Sequence, residues 1–239
     1  NRKSKRLYSL LFVGAWRSLV AHLYGVQGVP SSNLGAPTKM KTGEDFSIFT
    51  RSFVGERNRI MTKNVLVIST SMRKGGNSDT LADSFAAGAA QRGNAVEKIS
   101  LIGKKIGFCI GCLSCQKTQK CVLKDDAAEI VEKMKNADVI VFATPIYYYE
   151  MAGQMKTLLD RTNPLYPSDY KFRDIYLLAS SAEDDKAAMD RAVIGLQGWI
   201  ECFPKCELKG VVRATGVEAI GDIKGKAVLD EAFAMGESV

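Results

Sequence analysis

The chain has 239 residues and 46% hydrophobic content, which is enough for one large domain with a core of its own. Its net charge of +7 comes from residues 1–60, with 10 basic and 3 acidic residues, because the remainder has 33 − 10 = 23 basic and 26 − 3 = 23 acidic residues. This balance disfavours nucleic-acid binding by residues 61–239. The single histidine, His22, lies before these residues, which excludes histidine-rich metal sites and Ser-His-Asp triads among them.

Residues 1–60 do not follow the pattern of the rest of the chain. Their basic start and apolar continuation resemble a signal peptide or a membrane span, but the apolar stretch contains Arg17 and His22 and no clear cleavage site follows. We interpret residues 1–60 as an upstream reading-frame extension before a native start at Met61. A disordered native arm and a targeting or membrane-associating segment are the alternatives.

From Met61 onward, strand and helix patterns alternate. The predicted strands are Val65–Ser69, Ala95–Ser100, Val139–Ala143, Ile175–Ala179 and Glu207–Ala214. Helices are predicted over Ser78–Arg92, from the acidic start near Lys124 to Ala137, and over Gly153–Arg161, Asp184–Trp199 and Lys226–Met235. Five β/α repeats predict one α/β domain, residues 61–239, with a doubly wound five-stranded parallel sheet and helices on both faces. Ligands bind such sheets beyond the carboxyl ends of the strands.

The loop after the first strand, Ser69–Thr80, reads STSMRKGGNSDT. Free N–H groups at the following helix start attract a phosphate, hydroxyl and Asn side chains add neutral donors, and Arg73 adds a charged one. The loop matches neither G-x-x-x-x-G-K-S/T nor G-x-G-x-x-G, which disfavours NTP hydrolysis and a standard dinucleotide site. The alternative is a plain helix entrance capped by Asn77 or Ser78.

The segment after the third strand, Ala143–Arg161, reads ATPIYYYEMAGQMKTLLDR. Its three tyrosines offer flat faces for a planar ring and hydroxyls for the edge of that ring, the alternative being an aromatic cluster that packs on the next helix. Lys156, Asp160 and Arg161 are interpreted as a helix face with an i, i+4 ion pair from Lys156 to Asp160. A phosphate site in one loop and a planar-ring site in the other together predict FMN.

These loops resemble motifs of the flavodoxin-like NAD(P)H-dependent FMN reductases, and within them the branch that includes the iron–sulfur flavoproteins. The family's first loop reads approximately G-S-P-R-x-G-x-N-S/T, where Thr70–Ser78 reads TSMRKGGNS. Its second motif reads approximately P-I/V-Y, seven residues, L/M-K, three residues, D-R, where Pro145–Arg161 reads PIYYYEMAGQMKTLLDR. The acidic helix start CVLKDD also fits, so three motifs recur in the same order along residues 61–239.

The resemblance implies a flavodoxin-like strand order, 2-1-3-4-5, and a set of FMN-binding residues. It implies that the first loop holds the phosphate, the tyrosine segment lines the isoalloxazine and a third loop closes the site, which assigns Ser71, Met72, Arg73, Asn77, Ser78, Pro145, Ile146, Tyr147, Tyr148, Ser180 and Ser181. Two positions depart from the family pattern, Thr70 replacing Gly and Met72 replacing Pro. Backbone contacts to a phosphate survive both changes.

Four of the six cysteines lie in one segment, CIGCLSCQKTQKC, with the spacing C-x2-C-x2-C-x5-C. Three thiolates spaced by two residues can bind one face of a cubane, with the last cysteine as the fourth ligand. The spacing resembles the compact motif of the iron–sulfur flavoproteins, which implies a [4Fe–4S] cluster on Cys109, Cys112, Cys115 and Cys121. A zinc site on the four thiolates and free or redox-active thiols stay open as alternatives.

The resemblance implies an FMN-dependent oxidoreductase that takes hydride from NAD(P)H and passes electrons to a quinone, flavin or other small-molecule acceptor. Because the flavin performs the hydride chemistry, no catalytic residue is predicted. The alternative is a non-enzymatic electron-transfer protein that serves a protein partner, and the balanced charge disfavours it because carriers often have strongly acidic surfaces. A cytoplasmic homodimer or homotetramer with no nucleic-acid or membrane partner is expected.

Overall fold

The computed structural model describes residues 62–239. The long strands are β1 (Asn64–Ser69), β2 (Ala95–Ser100), β3 (Val139–Tyr147), β5 (Asp174–Ser180) and β6 (Glu207–Ala214), and β4 is the short Glu150–Met151. The helices are α1 (Asn77–Gln91), α2 (Ser114–Thr118), α3 (Ala127–Asn136), α4 (Gly153–Asp160), α5 (Asp190–Ile200) and α6 (Val228–Glu237). The prediction of an extension before Met61 lies outside the described residues.

Five strands pair in parallel in the order β2-β1-β3-β5-β6, which is 2-1-3-4-5 when the five predicted strands are numbered along the chain. The predicted doubly wound sheet is therefore confirmed. β4 was not predicted, and it pairs antiparallel with the end of β3 through a two-residue turn. The strand order reverses at β1 and β3, so the loops after these strands flank a crevice at the carboxyl edge of the sheet.

Helices cover both faces of this sheet, and a separate core fills each interface. Side chains alternate along a strand, so Leu66 and Ile68 of β1 enter one core while Val65 and Val67 enter the other. The first core packs against α3, α4 and α5, and the second against α1 and α6. The carboxyl edge of the sheet stays open between these layers.

The helix predicted over Asp184–Trp199 is shorter than expected. Asp185 is extended, with φ −138°, and its side chain accepts a hydrogen bond from the backbone N–H of Ala187. A 3-10 turn over Lys186–Met189 follows, and α5 begins at Asp190. The chain thus leaves β5 through a turn that keeps the segment after Ser180 at the open edge of the sheet. In residues 62–239, no helix is long and apolar enough to span a membrane.

Candidate functional site

The carboxyl ends of the parallel strands surround a cleft of about 240 Å³. Eight of the eleven predicted FMN residues line this cleft, and they come from the loop after β1, the end of β3 and the end of β5: Ser71, Arg73, Asn77, Ser78, Pro145, Ile146, Tyr147 and Ser180. The structure therefore brings the two loops that sequence reasoning singled out to one place, at the point where the strand order reverses.

The loop after β1 leads directly into the amino end of α1. The Ser71 hydroxyl both accepts from the backbone N–H of Arg73 and donates to its carbonyl, at 3.2 Å each, which closes a tight turn. Gly76 is the residue before α1, and a Cβ there would lie 3.0 Å from both the Ser71 Oγ and the Arg73 carbonyl oxygen. The glycine thus permits the close turn, and no side chain caps α1. The first N–H groups of the helix are left free for an anion.

Asn77 does not cap α1, and its side chain instead joins the helix to a loop after β6. The Asn77 amide nitrogen donates to the Ala219 carbonyl at 3.0 Å, and its oxygen accepts from the Ile223 N–H at 3.3 Å. Arg73 reaches the same loop, where its guanidinium donates to the Glu218 carbonyl at 2.9 Å. Both side chains therefore fasten residues 217–223 against the cleft.

A buried ion pair neutralises the acidic residue nearest the phosphate loop. Asp79, in the first turn of α1, lies 2.8 Å from Lys98 Nζ and accepts a hydrogen bond from the Gly75 N–H at 3.1 Å. Burial alone would raise the pKa of Asp79, but the Lys98 ammonium and the hydrogen bond from Gly75 outweigh it, so the pKa is lowered. Asp79 is thus charged but paired, and Arg73 is the cation of this loop that lines the cleft.

The tyrosine segment forms a β-hairpin. β3 and β4 pair through Tyr147 and Glu150, so Tyr148 and Tyr149 are the two turn residues, with φ of +51° and +66°. Two consecutive positive φ values are typical of a type I′ turn, which normally takes Asn or Gly because other side chains are strained there. The Arg191 guanidinium lies 5.8 Å from the Tyr149 ring. The hairpin projects Tyr147 onto the cleft and Tyr148 into solvent.

Three predicted FMN residues do not line the cleft. Tyr148 is 98% exposed at the hairpin tip. The Met72 side chain turns to a neighbouring cleft, of about 370 Å³, that it shares with Phe108 beside the cysteines. Ser181 is buried, and its hydroxyl accepts from the Glu183 N–H at 3.0 Å. These three residues were predicted because they neighbour other site residues in the sequence, but side chains of neighbouring loop residues can point in different directions.

Sequence reasoning missed one wall of the cleft. Val217, Glu218 and Ile220 of the loop after β6 line it, together with Gly76 and Ala182. The loop follows a parallel strand, so its position at the same edge of the sheet was available as a signal. The loop carries no recognisable motif, so its sequence alone does not mark it as part of the site.

The four predicted metal ligands converge on a second, much smaller cavity. Cys109, Cys112, Cys115 and Cys121 all line a space of about 20 Å³. Burial raises the pKa of Cys115, and negative charge on the other three thiols raises it further, whereas hydrogen bonds from Ser114 lower the pKa of Cys112. If all four were ionised, their thiolates would repel one another, and a bound cation would offset that repulsion.

Four cysteine thiols are suitable ligands for an iron–sulfur cluster or for zinc, but the arrangement of these side chains is not that of a metal site. Across the part of the chain that the structure describes, no three His, Cys, Asp or Glu side chains are arranged to hold a metal ion. The cavity has room for about one water molecule, far less than a cubane needs. A cluster on these cysteines would require a wider cavity than the one they line.

The exposed ion pair predicted on α4 is present, but Arg161 is not part of that face. Lys156 Nζ lies 2.6 Å from Asp160 Oδ1 at the surface. Arg161 follows the last residue of α4, and its side chain is 0% exposed and ion-paired with Asp125 at 2.6 Å. Burial opposes ionisation of Asp125, yet the Arg161 hydrogen bonds outweigh it and lower the pKa of Asp125. The predicted helix face included Arg161, but the helix ends at Asp160 and the Arg161 side chain is buried.

Comparison with known proteins agrees with this geometry. The model of the NADPH-dependent FMN reductase family matches residues 63–206, which include the loops after β1, β3 and β5 and the four cysteines. The chain belongs to the NADPH-dependent FMN reductase family. Flavin-dependent oxidoreductase chemistry is the activity of that family by its name, and the predicted resemblance is confirmed.

Two similar curated proteins within this group are both named iron-sulfur flavoprotein. One, from Methanocaldococcus jannaschii, is 41% identical over 101 residues, which cover 42% of this chain and 52% of the relative. The other, from Archaeoglobus fulgidus, is 36% identical over 94 residues, which cover 39% of this chain and 43% of the relative. The chain spans about half the length of these curated relatives.

Solved structures of the family's fold confirm the architecture. An NAD(P)H:quinone oxidoreductase from Methanothermobacter marburgensis superposes with a TM-score of 0.57 at 16% identity, over 74% of this chain and 96% of that chain. An azoreductase from Bacillus anthracis superposes with a TM-score of 0.58 at 16% identity, over 74% of this chain and all of that one. At this identity the likeness concerns the fold.

Proposed function

We propose that the protein binds one FMN in the cleft at the carboxyl edge of the sheet, takes hydride from NAD(P)H and passes electrons to a small acceptor. The observation that carries this proposal is the meeting of the phosphate-type loop and the tyrosine hairpin on one cleft, in a chain of the NADPH-dependent FMN reductase family. When bound, the flavin supplies the hydride chemistry.

The residues of the cleft would divide between the two ends of the cofactor. The free N–H groups at the start of α1, the Ser78 hydroxyl and the Arg73 guanidinium would hold the phosphate. Pro145, Ile146 and Tyr147, at the end of β3, would lie against the ring system, with Ser180 beside Pro145 on the neighbouring strand. Asn77 would act indirectly, because its amide holds the 217–223 loop that walls the cleft.

We further propose that Cys109, Cys112, Cys115 and Cys121 hold a [4Fe–4S] cluster after the loop opens around it. All four thiols face one cavity, and similar curated proteins are named iron-sulfur flavoprotein, which supports this choice over zinc. Such a centre supplies one-electron chemistry, complementing a flavin that accepts electrons in pairs.

The acceptor, the assembly and the location are proposals of the same kind. Structures with the same fold include reductases whose names specify quinone and azo substrates, which favours a quinone, flavin or similar planar acceptor for this protein. A homodimer or homotetramer in the cytoplasm stays our expectation, and it rests on the resemblance to the family.

Anaerobic mixing of the FMN-loaded protein with NADPH or NADH tests the proposed reaction. We expect bleaching of the flavin absorbance by at least one of the two nucleotides and its return when a quinone is added. Free FMN at the same concentration is the control for reduction without the protein. A flavin spectrum that neither nucleotide changes would contradict the enzymatic proposal and favour the electron-carrier alternative.

A further inference from the structure

We propose that Arg161 is a positioning residue for the cysteines, tying both ends of the cysteine loop (residues 107–125) to the helix that follows the tyrosine hairpin. All five hydrogen bonds donated by its guanidinium go to this loop. All of these bonds come from the two terminal nitrogens, and an arginine that only filled space in the core would not direct all its hydrogen bonds to one segment.

The bonds from Arg161 reach the loop on both sides of the cysteines. Before them, Nη1 donates to the Gly107 carbonyl at 2.7 Å. After them, the two terminal nitrogens donate to the two carboxylate oxygens of Asp125 at 2.6 and 2.9 Å, and Nη2 donates to the Leu123 carbonyl at 3.5 Å. A planar guanidinium can make these divergent contacts at once, which a lysine ammonium cannot reproduce.

The two loop ends are also joined to each other beside Arg161. Asp125 accepts from the Gly107 N–H at 2.8 Å, and Asp126 accepts from the Lys105 N–H at 2.6 Å. These hydrogen bonds form the base of the cysteine loop, and the four cysteines lie between its two ends. Leu113 and Gln119, on either side of the short helix α2, have positive φ. Geometry at the base therefore controls where the four thiols converge.

One donor of Arg161 touches a cysteine directly. Nη2 lies 3.3 Å from Cys121 Sγ, and the guanidinium is completely buried. A buried charged donor on a sulfur stabilises negative charge there and, in iron–sulfur proteins, hydrogen bonds to the ligand sulfur help set the reduction potential. We infer that Arg161 both orients Cys121 and raises the potential of a cluster held by it; this second part rests on the cluster proposed above.

Arg161 also connects the cysteine loop, through α4, to the hairpin at the candidate flavin cleft. α4 follows the hairpin that brings Tyr147 to the cleft, and Arg161 comes directly after Asp160, the last residue of α4. Arg161 and the four cysteines line the same cavity. The same helix therefore joins the candidate flavin site at one end to the cysteine loop at the other.

The test compares Arg161→Lys and Asp125→Asn with Lys156→Ala, which removes an exposed ion pair from the same helix. Each full-length protein is first exposed to trypsin without added iron, and cleavage after Lys117 and Lys120 is followed by mass spectrometry. We expect several-fold faster cleavage there in the Arg161 and Asp125 variants, with FMN content unchanged, and wild-type rates in the Lys156 variant.

The same proteins are then reconstituted anaerobically with iron and sulfide. We expect less iron per chain in the Arg161→Lys and Asp125→Asn variants and, in the iron-containing fraction of Arg161→Lys, a more negative cluster potential beside an unchanged flavin potential. A purely structural role would not shift one potential alone. If wild-type protein takes up no iron, the cluster proposal fails, while the trypsin result still decides whether Arg161 holds the loop.

Wild-type cleavage rates in both loop variants would overturn the positioning role. Loss of FMN together with faster cleavage throughout the chain would overturn it as well, since Arg161 would then support the whole fold rather than the cysteine loop. An unshifted cluster potential in Arg161→Lys would overturn the inferred action on Cys121.

Discussion

Arg73 is the side chain whose removal separates phosphate binding from fold stability. It is exposed, it lines the cleft, and within residues 62–239 its guanidinium makes one hydrogen bond, to the Glu218 carbonyl of the loop after β6. A charge-assisted hydrogen bond to a phosphate contributes about 1.5–3 kcal/mol, so Arg73→Ala should weaken FMN binding by about 10- to 100-fold. Fluorescence titration measures this, with the exposed neighbour Lys74→Ala as the matched control. The double variant Arg73→Ala with Asn77→Ala should bind FMN more weakly still. An unchanged affinity of the double variant for FMN would mean that the phosphate binds at another site.

The two tyrosines at the hairpin tip occupy a backbone conformation that suits them poorly. Left-handed φ costs a non-glycine residue about 1–2 kcal/mol, and a type I′ turn favours Asn followed by Gly. Replacing Tyr148 by Asn and Tyr149 by Gly should therefore raise the free energy of unfolding by about 1–2 kcal/mol.

Urea denaturation of this double variant measures the change. Tyr166→Asn is the matched control, because Tyr166 is 61% exposed but has an ordinary φ of −54°, so its replacement should change stability by less than about 0.5 kcal/mol. A double variant less stable than the wild type would mean that contacts of the tyrosines outweigh the strain.

At the level of elements, the packing of α1 on α6 depends on two glycines, one in each helix, that each contact the backbone of the other helix. A Cβ on Gly88 would lie 2.1 Å from the Phe233 carbonyl oxygen, and one on Gly236 would lie 2.2 Å from that of Phe85. Neither oxygen can move without shifting a helix. We expect Gly88→Ala to lower the free energy of unfolding by about 1–3 kcal/mol because the helices must separate.

Gly198→Ala is the control for helix propensity in that experiment. Gly198 lies within α5 with nothing within 4 Å of a new Cβ, so alanine there should stabilise the protein by about 0.5–1 kcal/mol. Both values come from chemical denaturation under the same conditions. We expect changes of opposite sign; two stabilising substitutions would show that the α1–α6 interface can open at little cost.

The sequence predicted whole elements better than it predicted the directions of side chains. Ala95–Ser100 and Glu207–Ala214 appear with the predicted bounds, because apolar alternation and flanking turn residues are local signals. Asn77 and Ser181 lie in the predicted loops, but tertiary contacts decide that Asn77 binds the loop after β6 and that Ser181 is buried. Arg161 was assigned to the same helix face as Lys156 and Asp160, because helical periodicity does not show where a helix ends.

At the scale of the whole molecule, every motif used for the functional proposal lies beyond residue 61. A protein that starts at Met61 should therefore fold, bind FMN and turn over like the full chain. Thermal unfolding, FMN titration and NAD(P)H oxidation compare the two proteins. Aggregation or loss of flavin in the shorter protein alone would contradict the interpretation of residues 1–60 as an extension.

The identity and amount of bound flavin bear directly on the proposed site. The loop before α1 offers a single phosphate site beside a cleft lined by the end of β3, and it lacks a dinucleotide fingerprint. Protein saturated with a flavin mixture, desalted and then denatured should release one FMN per chain and no FAD, as measured by chromatography of the released flavin. Release of FAD, or of no flavin after saturation with FMN, would contradict the assignment of this cleft as the cofactor site.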